Sequence, residues 1–464
     1  MQNLYEKVDF LDRKCYDAYL LPEDILMEQA AEAMNSFIRA NFAKNSKVLI
    51  VSGPGNNGAD GITLARQLLG DYEVFLFLPF GAKSQMALLQ LERFEAVGGK
   101  ESETIQEADV IVDAMFGAGL TKPLNEKAIE IIEKLNAMKG FKIACDIPTG
   151  IDKNGNLLPT AFKADRTITM GALKLALYSD FAKDYVGEID VADLGVSRTL
   201  YEEPSFYRVL ETDDFRPPVR EKLSSNKGDY GHLAVIAGEK EGAAIMAALS
   251  ALNFGAGLVT VVSNEKIAVP YELMHANSLP KTTTSIAVGM GLGCEYSDDE
   301  FETLILKNDF PLVIDADLFY SKKILSILKR EKIVLTPHPK EFASLLKISG
   351  ICETDAKEVQ KRRFELVLKF CEKFPNAVLV LKGANVIVAK GAELFVNPYG
   401  SNALSKGGSG DVLTGLIGAL LAQGYDSLDA AIQGTLAHSF AAKKVKKANF
   451  ALTPKDLIEA VGCL

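Results

Sequence analysis

Long apolar runs are missing from this chain. No stretch approaches the ~20 consecutive apolar residues that a bilayer-spanning helix needs, which excludes a helical membrane protein. The first residues, MQNLYEKVDFLDRK, are polar and charged and lack the apolar core of an export signal. Cysteine is sparse, with six residues at 15, 145, 294, 352, 371 and 463, no C-x-x-C pair and no metal-ligand spacing. A disulfide scaffold and a zinc ribbon are thereby excluded, and reduced thiols in a cytoplasmic protein are expected. Cys145 lies in an apolar run, and burial as a small hydrophobe is expected for most of the others. Positive charge is also in deficit: 51 Lys and Arg against 61 Asp and Glu leave a net charge of −10. A nucleic-acid partner, which requires a basic surplus to neutralise phosphates, is not expected. One basic run, KKVKK at 443–447, reads as a solvated helix face.

What is present is an α/β pattern, repeated. The 464 residues, 48% hydrophobic and 24% charged, suit two or three soluble domains. After a helical pattern at 22–43, short β runs (KVLIVS, EVFLFLP, ADVIVDAMF, FKIACDIP, DRTITMG) alternate with helices as far as GEIDVADLG near 193. Apolar strands interleaved with amphipathic helices imply a mostly parallel sheet covered on both faces. Between 197 and 225 paired prolines and mixed charge mark a connection. Alternation resumes at HLAVIAG and ends in helices at 410–423, 427–447 and 454–461. The fold class is α/β with two domains: residues 1–205, a Rossmann-like three-layer α/β/α unit, and residues 206–464, a second α/β/α unit. The glycine motifs of the halves differ, so they are not an internal repeat.

In the first half, GPGNNG (Gly53 to Gly58) follows a strand and opens a helix, as a dinucleotide fingerprint does. The second strand of such a fingerprint should end in an acid that holds the ribose. EVFLFLP instead ends in Leu78, Pro79 and Phe80, so conventional cofactor binding is not supported. The loop carries other chemistry in Asn56, Asn57 and Asp60. VDAMFGAGLTK (112–122) and CDIPTGID (145–152) bring Asp113, Asp146 and Thr149 to the ends of neighbouring strands. Asn57, Asp113 and Thr149 would offer oxygen ligands to a hard cation.

In the second half, NALSKGGSGDVLTG (402–415) runs Gly407, Gly408, Ser409 and Gly410 into a helix. Amides at such a helix start form an anion hole, and Asp411 could act there as a base on a hydroxyl. LKGANVIVAKG (381–391) sets Lys382 and Gly383 after a buried strand, which suits a nucleotide edge. TPHPKEF (336–342) sets His338 and Glu341 at the sheet edge where α/β sites lie.

KGDYGHLAVIAG, GAGLVTVV, VGMGLG, LVIDAD, TPHPKEF, LKGA and GGSGDVLTG, in that order, resemble the ribokinase-like fold, and more narrowly the ADP/ATP-dependent NAD(P)H-hydrate dehydratase family, from about 226 onward. GNNGAD, FGAG and DIPTG resemble the NAD(P)H-hydrate epimerase family over about 1–200. Together they are similar to the bacterial bifunctional hydrate-repair enzymes, which carry an isomerase and a lyase activity. The resemblance implies that Asn56, Asn57, Gly58, Ala59, Asp60 and the run Gly117, Ala118, Gly119, Leu120, Thr121, Lys122 and Pro123 contact the hydrated dinucleotide. It implies that Asp146 is catalytic and that Asn57, Asp113 and Thr149 bind K+. In the second half it implies contact of Gly291, His338 and Asp411 with the hydrate, with Asp411 catalytic. Lys382, Gly383, Ala384, Asn385 and Gly407 to Gly410 would hold ADP or ATP, accompanied by Mg2+. Partners would be hydrated NADH and NADPH and an adenine nucleotide, and a homo-oligomer is expected. Three other readings stay open: a vitamin-precursor kinase fused to a regulatory nucleotide-binding domain, an NAD-dependent oxidoreductase, and a noncatalytic N-terminal binding module.

Overall fold

A computed structural model describes residues 1–293 and 298–464; Cys294 lies outside the described residues. The chain divides into two units, Gln2–Ser205 and Phe206–Leu464, with Met1 grouped with the latter.

In the first unit six parallel strands stand in the spatial order Glu73–Phe77, Lys47–Ser52, Val110–Ala114, Phe141–Cys145, Arg166–Met170 and Glu188–Ala192. The chain reverses its direction of travel across the sheet between Lys47–Ser52 and Val110–Ala114, which pair from Val48↔Val110 to Ser52↔Ala114. At such a switch point the loops leaving adjacent strand ends diverge and open a crevice. The helices Glu23–Asn41, Asn56–Leu68 and Gln85–Ala96 cover one face through Ala30, Met34, Ile62, Leu68 and Phe94. Glu126–Ala137 covers the other through Ile131, Ile132 and Leu135. Val48 and Ile50 face one cluster while Leu49 and Val51 face the other, the two-residue period of a strand buried on both sides.

The second unit builds a longer sheet. Seven parallel strands run in the order Met274–Ala276, Leu258–Val262, His232–Ile236, Ser285–Val288, Leu312–Ile314, Ile333–Leu335 and Val378–Leu381. Val386–Lys390 then joins antiparallel, followed by Glu393–Asn397 and Tyr207–Val209. The helix Ser409–Ala422 is apolar all round because it is enclosed between Glu241–Asn253 and Ser427–Lys444. Gly415 permits this approach, since a Cβ there would lie 2.0 Å from the Ala247 carbonyl oxygen. The KKVKK run only partly continues a helix, which ends at Lys444.

Cys15, Cys145 and Cys371 are buried, as expected, but Cys352 is half-exposed and Cys463 exposed, so burial holds for three of the five described cysteines. Among the described residues no helix is long and apolar enough to cross a membrane.

Candidate active sites

At the switch point of the first unit the loops after four adjacent strands surround a cavity of about 560 Å3. Its wall includes Gly55, Asn56, Asn57, Asp60, the run from Met115 to Lys122, Asp146, Met170, Lys174 and, from the N-terminal helix, Asp9 and Asp12. The glycines of the first loop have separate tasks. A Cβ on Gly53 would lie 1.8 Å from the Met115 carbonyl oxygen, and one on Gly58 would lie 1.9 Å from the Gly53 carbonyl oxygen. Nothing lies within 4 Å of the corresponding point on Gly55. Gly53 and Gly58 thus let three pieces of backbone close up, whereas Gly55 keeps the cavity wall open. Gly58 and Ala59 are buried next to this loop, and Pro123 is exposed just past the run from Met115 to Lys122.

Asp146 follows its strand directly, with φ of +68°, a left-handed conformation that is uncommon for a residue other than glycine. Its Oδ1 accepts bonds from Lys174 Nζ at 2.5 Å, Thr169 Oγ1 at 3.2 Å and the Met170 amide at 3.2 Å; its Oδ2 accepts one from the Ala118 amide at 3.4 Å. Burial works against the charge of Asp146, but Lys174 outweighs it and, with these amides, holds the carboxyl below its ordinary value. Asp60 makes no ion pair among the described residues; Cys145 Sγ lies 4.0 Å from its Oδ2. Burial, and then the charges of Asp146, Asp12 and Glu23, push Asp60 well above the ordinary carboxylate range. One cavity therefore holds two carboxyls whose pKa values are driven in opposite directions.

Behind the cavity Asp113 is fully buried. It accepts bonds from the Thr149 amide and hydroxyl, both at 2.7 Å, and from the Met115 amide at 3.2 Å. Burial lifts its pKa to about 6 despite these bonds. The Thr149 hydroxyl also accepts from the Phe116 amide at 2.9 Å. Asn57 leans on the same loop, its Oδ1 2.8 Å from where a Cβ on Gly117 would be, and its Nδ2 is buried with no hydrogen-bond partner among the described residues.

In the second unit three neighbouring strands end in Asp315, in Thr336 leading to His338, and in Lys382. Lys382 Nζ donates to Asp315 Oδ1 at 2.7 Å and lies 3.7 Å from Glu341 Oε2. Burial disfavours its charge, but Asp315 and Glu341 prevail and raise its pKa. Thr414 Oγ1 donates to the other oxygen of Asp315 at 3.0 Å. Asp411 sits in the first turn of Ser409–Ala422. Burial, then repulsion from Asp315, raises it to about 7 even though Lys382 pulls the other way. No side chain caps this helix, and Gly408 enters it with φ of +90°. A Cβ on Gly410 would stand 3.4 Å from Lys382 Nζ, so lysine and helix start face one another.

Of the other expected residues, Gly291 turns with φ of +60° beside this edge, and the Gly293 amide donates to Asp317 at 2.9 Å. His338 is first of all a helix cap: its Nδ1 accepts from the Lys340 and Glu341 amides, which leaves Nε2, 3.2 Å from Glu341 Oε1, to carry the proton. Gly383, Ala384 and Gly407 are exposed, while Asn385 is buried with its carbonyl accepting from Arg363 at 2.9 Å.

Sequence reasoning missed Lys174, Asp12, Asp315 and Asp317 as site residues. LVIDAD shows the last two at a strand end, which was a usable signal. A lone lysine in GALKLAL offers none, because only the fold turns it back onto Asp146.

A family model described as NAD(P)H-hydrate dehydratase matches residues 233–462, and one described as YjeF-related protein N-terminus matches residues 23–176. The bifunctional NAD(P)H-hydrate repair enzyme of Helicobacter pylori is 43% identical over 475 residues, covering 99% of this chain and 99% of that protein. The enzyme of the same description from Dictyoglomus turgidum is 30% identical, covering 98% and 96%. A crystal structure of ADP/ATP-dependent NAD(P)H-hydrate dehydratase from Bacillus subtilis, co-crystallised with ATP and Mg2+, is 28% identical over 52% of this chain and 91% of that one, with a TM-score of 0.44. With similarity sustained from end to end, the chain belongs to the family of bifunctional NAD(P)H-hydrate repair enzymes.

Proposed function

We propose that this chain repairs hydrated NADH and NADPH in the cytoplasm in two steps: the cavity at Asp146 interconverts the two hydrate epimers, and the site at Asp411 dehydrates one of them at the expense of ADP or ATP. The observation that carries the reading is Asp411, held near half-ionisation at neutral pH at the open start of a glycine-led helix that faces Lys382.

Hydroxide is a poor leaving group. Phosphorylating the hydroxyl turns it into phosphate, which the lone pair of the ring nitrogen expels; loss of a ring proton then restores the dihydronicotinamide. Asp411, with a pKa of about 7, suits the base that takes the hydroxyl proton. The amides at the start of Ser409–Ala422 and Lys382 would stabilise charge on the transferring phosphoryl group. Among the described residues no cluster of three or more His, Cys, Asp or Glu could hold a metal ion by itself. That fits Mg2+ arriving on the nucleotide phosphates and meeting Asp315 or Glu341, since Mg2+ is usually held by one or two carboxylates plus substrate phosphates.

At the first site Asp146 would serve as base and Asp60 as acid. The two carboxyls are driven apart by environment, the usual mark of such a pair. Epimer exchange follows if Asp60 protonates the departing hydroxyl while the ring nitrogen forms an iminium, and Asp146 deprotonates water adding to the opposite face. Asn57, Asp113 and Thr149 fit a monovalent hard cation, because they present carboxylate, hydroxyl and amide oxygens and a buried carboxyl with no cationic neighbour. Bound there, K+ would neutralise Asp113 and tie the three loops together.

The test is incubation with acid-prepared NADH hydrate and ADP or ATP, following the return of NADH absorbance and resolving the epimers by chromatography. Net phosphorylated product without restored NADH would favour the kinase reading and overturn this one.

A further inference from the structure

The start of Ser409–Ala422 must hold a fixed orientation if it is to receive a phosphoryl group, yet no side chain caps it and its first residues are glycine-rich. The support comes from behind. His438, on the neighbouring helix Ser427–Lys444, is buried, and its Nε2 lies 3.0 Å from the Ser409 carbonyl oxygen and 3.1 Å from Ser409 Oγ. A carbonyl oxygen can only accept, so Nε2 carries the ring proton. Burial lowers the imidazole to about 4, so this neutral tautomer persists through the working pH range. With Nε2–H as the donor, Ser409 Oγ receives from the histidine, and its own proton is free to point toward an anion at the helix start.

We propose that His438 is a positioning residue for phosphoryl transfer, fixing the first turn of Ser409–Ala422 so that its amides, the Ser409 hydroxyl proton and the Asp411 carboxylate converge on one point. The inference rests on the dehydratase reading of this site. It assigns to a residue 27 positions from Asp411 a role that neither glycine motif discloses.

The test compares the full-length wild type with His438→Leu and His438→Gln, whose amide nitrogen reaches about as far as Nε2 and can donate in its place. NADH recovery is measured against nucleotide and hydrate concentration, with epimer exchange and thermal melts on the same preparations. Misplacing a catalytic group by about 1 Å costs on the order of 100-fold. His438→Leu should therefore lose about that factor in kcat, with KM for the nucleotide changed less than about threefold, and His438→Gln should recover most of the loss. Epimer exchange should match the wild type in both. Equal loss in the two variants, or a kcat in His438→Leu within threefold of wild type, would overturn the role. If the leucine variant does not fold, as its melt will show, the glutamine variant decides alone: a 100-fold loss in kcat with a normal melt overturns it. A wild type that restores no NADH refutes the dehydratase reading itself, and this inference with it.

Discussion

Replacing Lys174 with Met should cost the first unit stability in a way that depends on pH. Lys174 and Asp146 are 5% and 12% exposed at their side chains and 2.5 Å apart, and the ammonium also donates to Thr169 Oγ1 and the Met170 carbonyl, each at 3.0 Å. Removing one member of such a pair strands the other charge at a cost of about 3–5 kcal/mol. In the wild type Asp146 is held below its ordinary value, so its stabilising contribution is present above the unfolded pKa and fades as pH falls through the folded one. In Lys174→Met burial is opposed only by the remaining hydrogen bonds from Thr169, Met170 and Ala118, and the folded pKa is expected to rise above the unfolded one. The penalty then grows with rising pH by about 1.4 kcal/mol per unit until the folded pKa is passed. The deficit should be widest near pH 7–8 and shrink toward pH 4. For a unit of this size, about 2–4 °C per kcal/mol gives a melting transition lowered by about 6–20 °C at pH 8. Calorimetry of the full chain from pH 4 to 8 measures it, with epimer exchange at 25 °C as the functional readout, expected to fall at least about 100-fold. A deficit equal at pH 4 and pH 8, or epimer exchange within threefold of wild type, would refute the reasoning.

Other expectations are independent of this one. Asp411→Asn should abolish nucleotide-dependent NADH recovery and leave epimer exchange intact. Because the folded pKa of Asp411 is raised to about 7, its penalty on folding grows as pH rises from the unfolded pKa near 3.8 to the folded one and is level above it, so that variant should melt higher than wild type at pH 8, by less at pH 5, and alike near pH 3. Thr149→Val, which deletes the hydroxyl bonded to Asp113, should weaken the response of epimer exchange to added KCl about tenfold, whereas Thr149→Ser should retain it. Gly58→Ala should lower the first unit's stability by about 3 kcal/mol, since the new methyl meets backbone, even though alanine ordinarily favours a helix. Gly55→Ala should melt normally by the same assay, as its Cβ meets nothing.

The spacing in GPGNNG suggested a dinucleotide fingerprint, and the absence of an acid after EVFLFLP argued against one; both could be read locally because turns and strand ends are short-range features. Asp113, Asp146 and Asp411 were legible for the same reason, each standing at the boundary of a periodic segment. Their protonation states were not. Asp146 is held low because Lys174, 28 residues away, folds against it, and Asp60 is pushed up by burial and by three carboxylates from other elements, which outweigh the pull of Lys174. TPHPKEF put His338 at the sheet edge, but that its ring Nδ1 caps the following helix was visible only in the structure. By itself, then, the sequence determined which elements form and which carboxylates stand at their ends, since periodicity and turn chemistry act over a few residues. Only the tertiary structure decided which of those groups share a cavity and which keep their protons, because burial and Coulomb interactions are set by neighbours that the chain brings together only on folding.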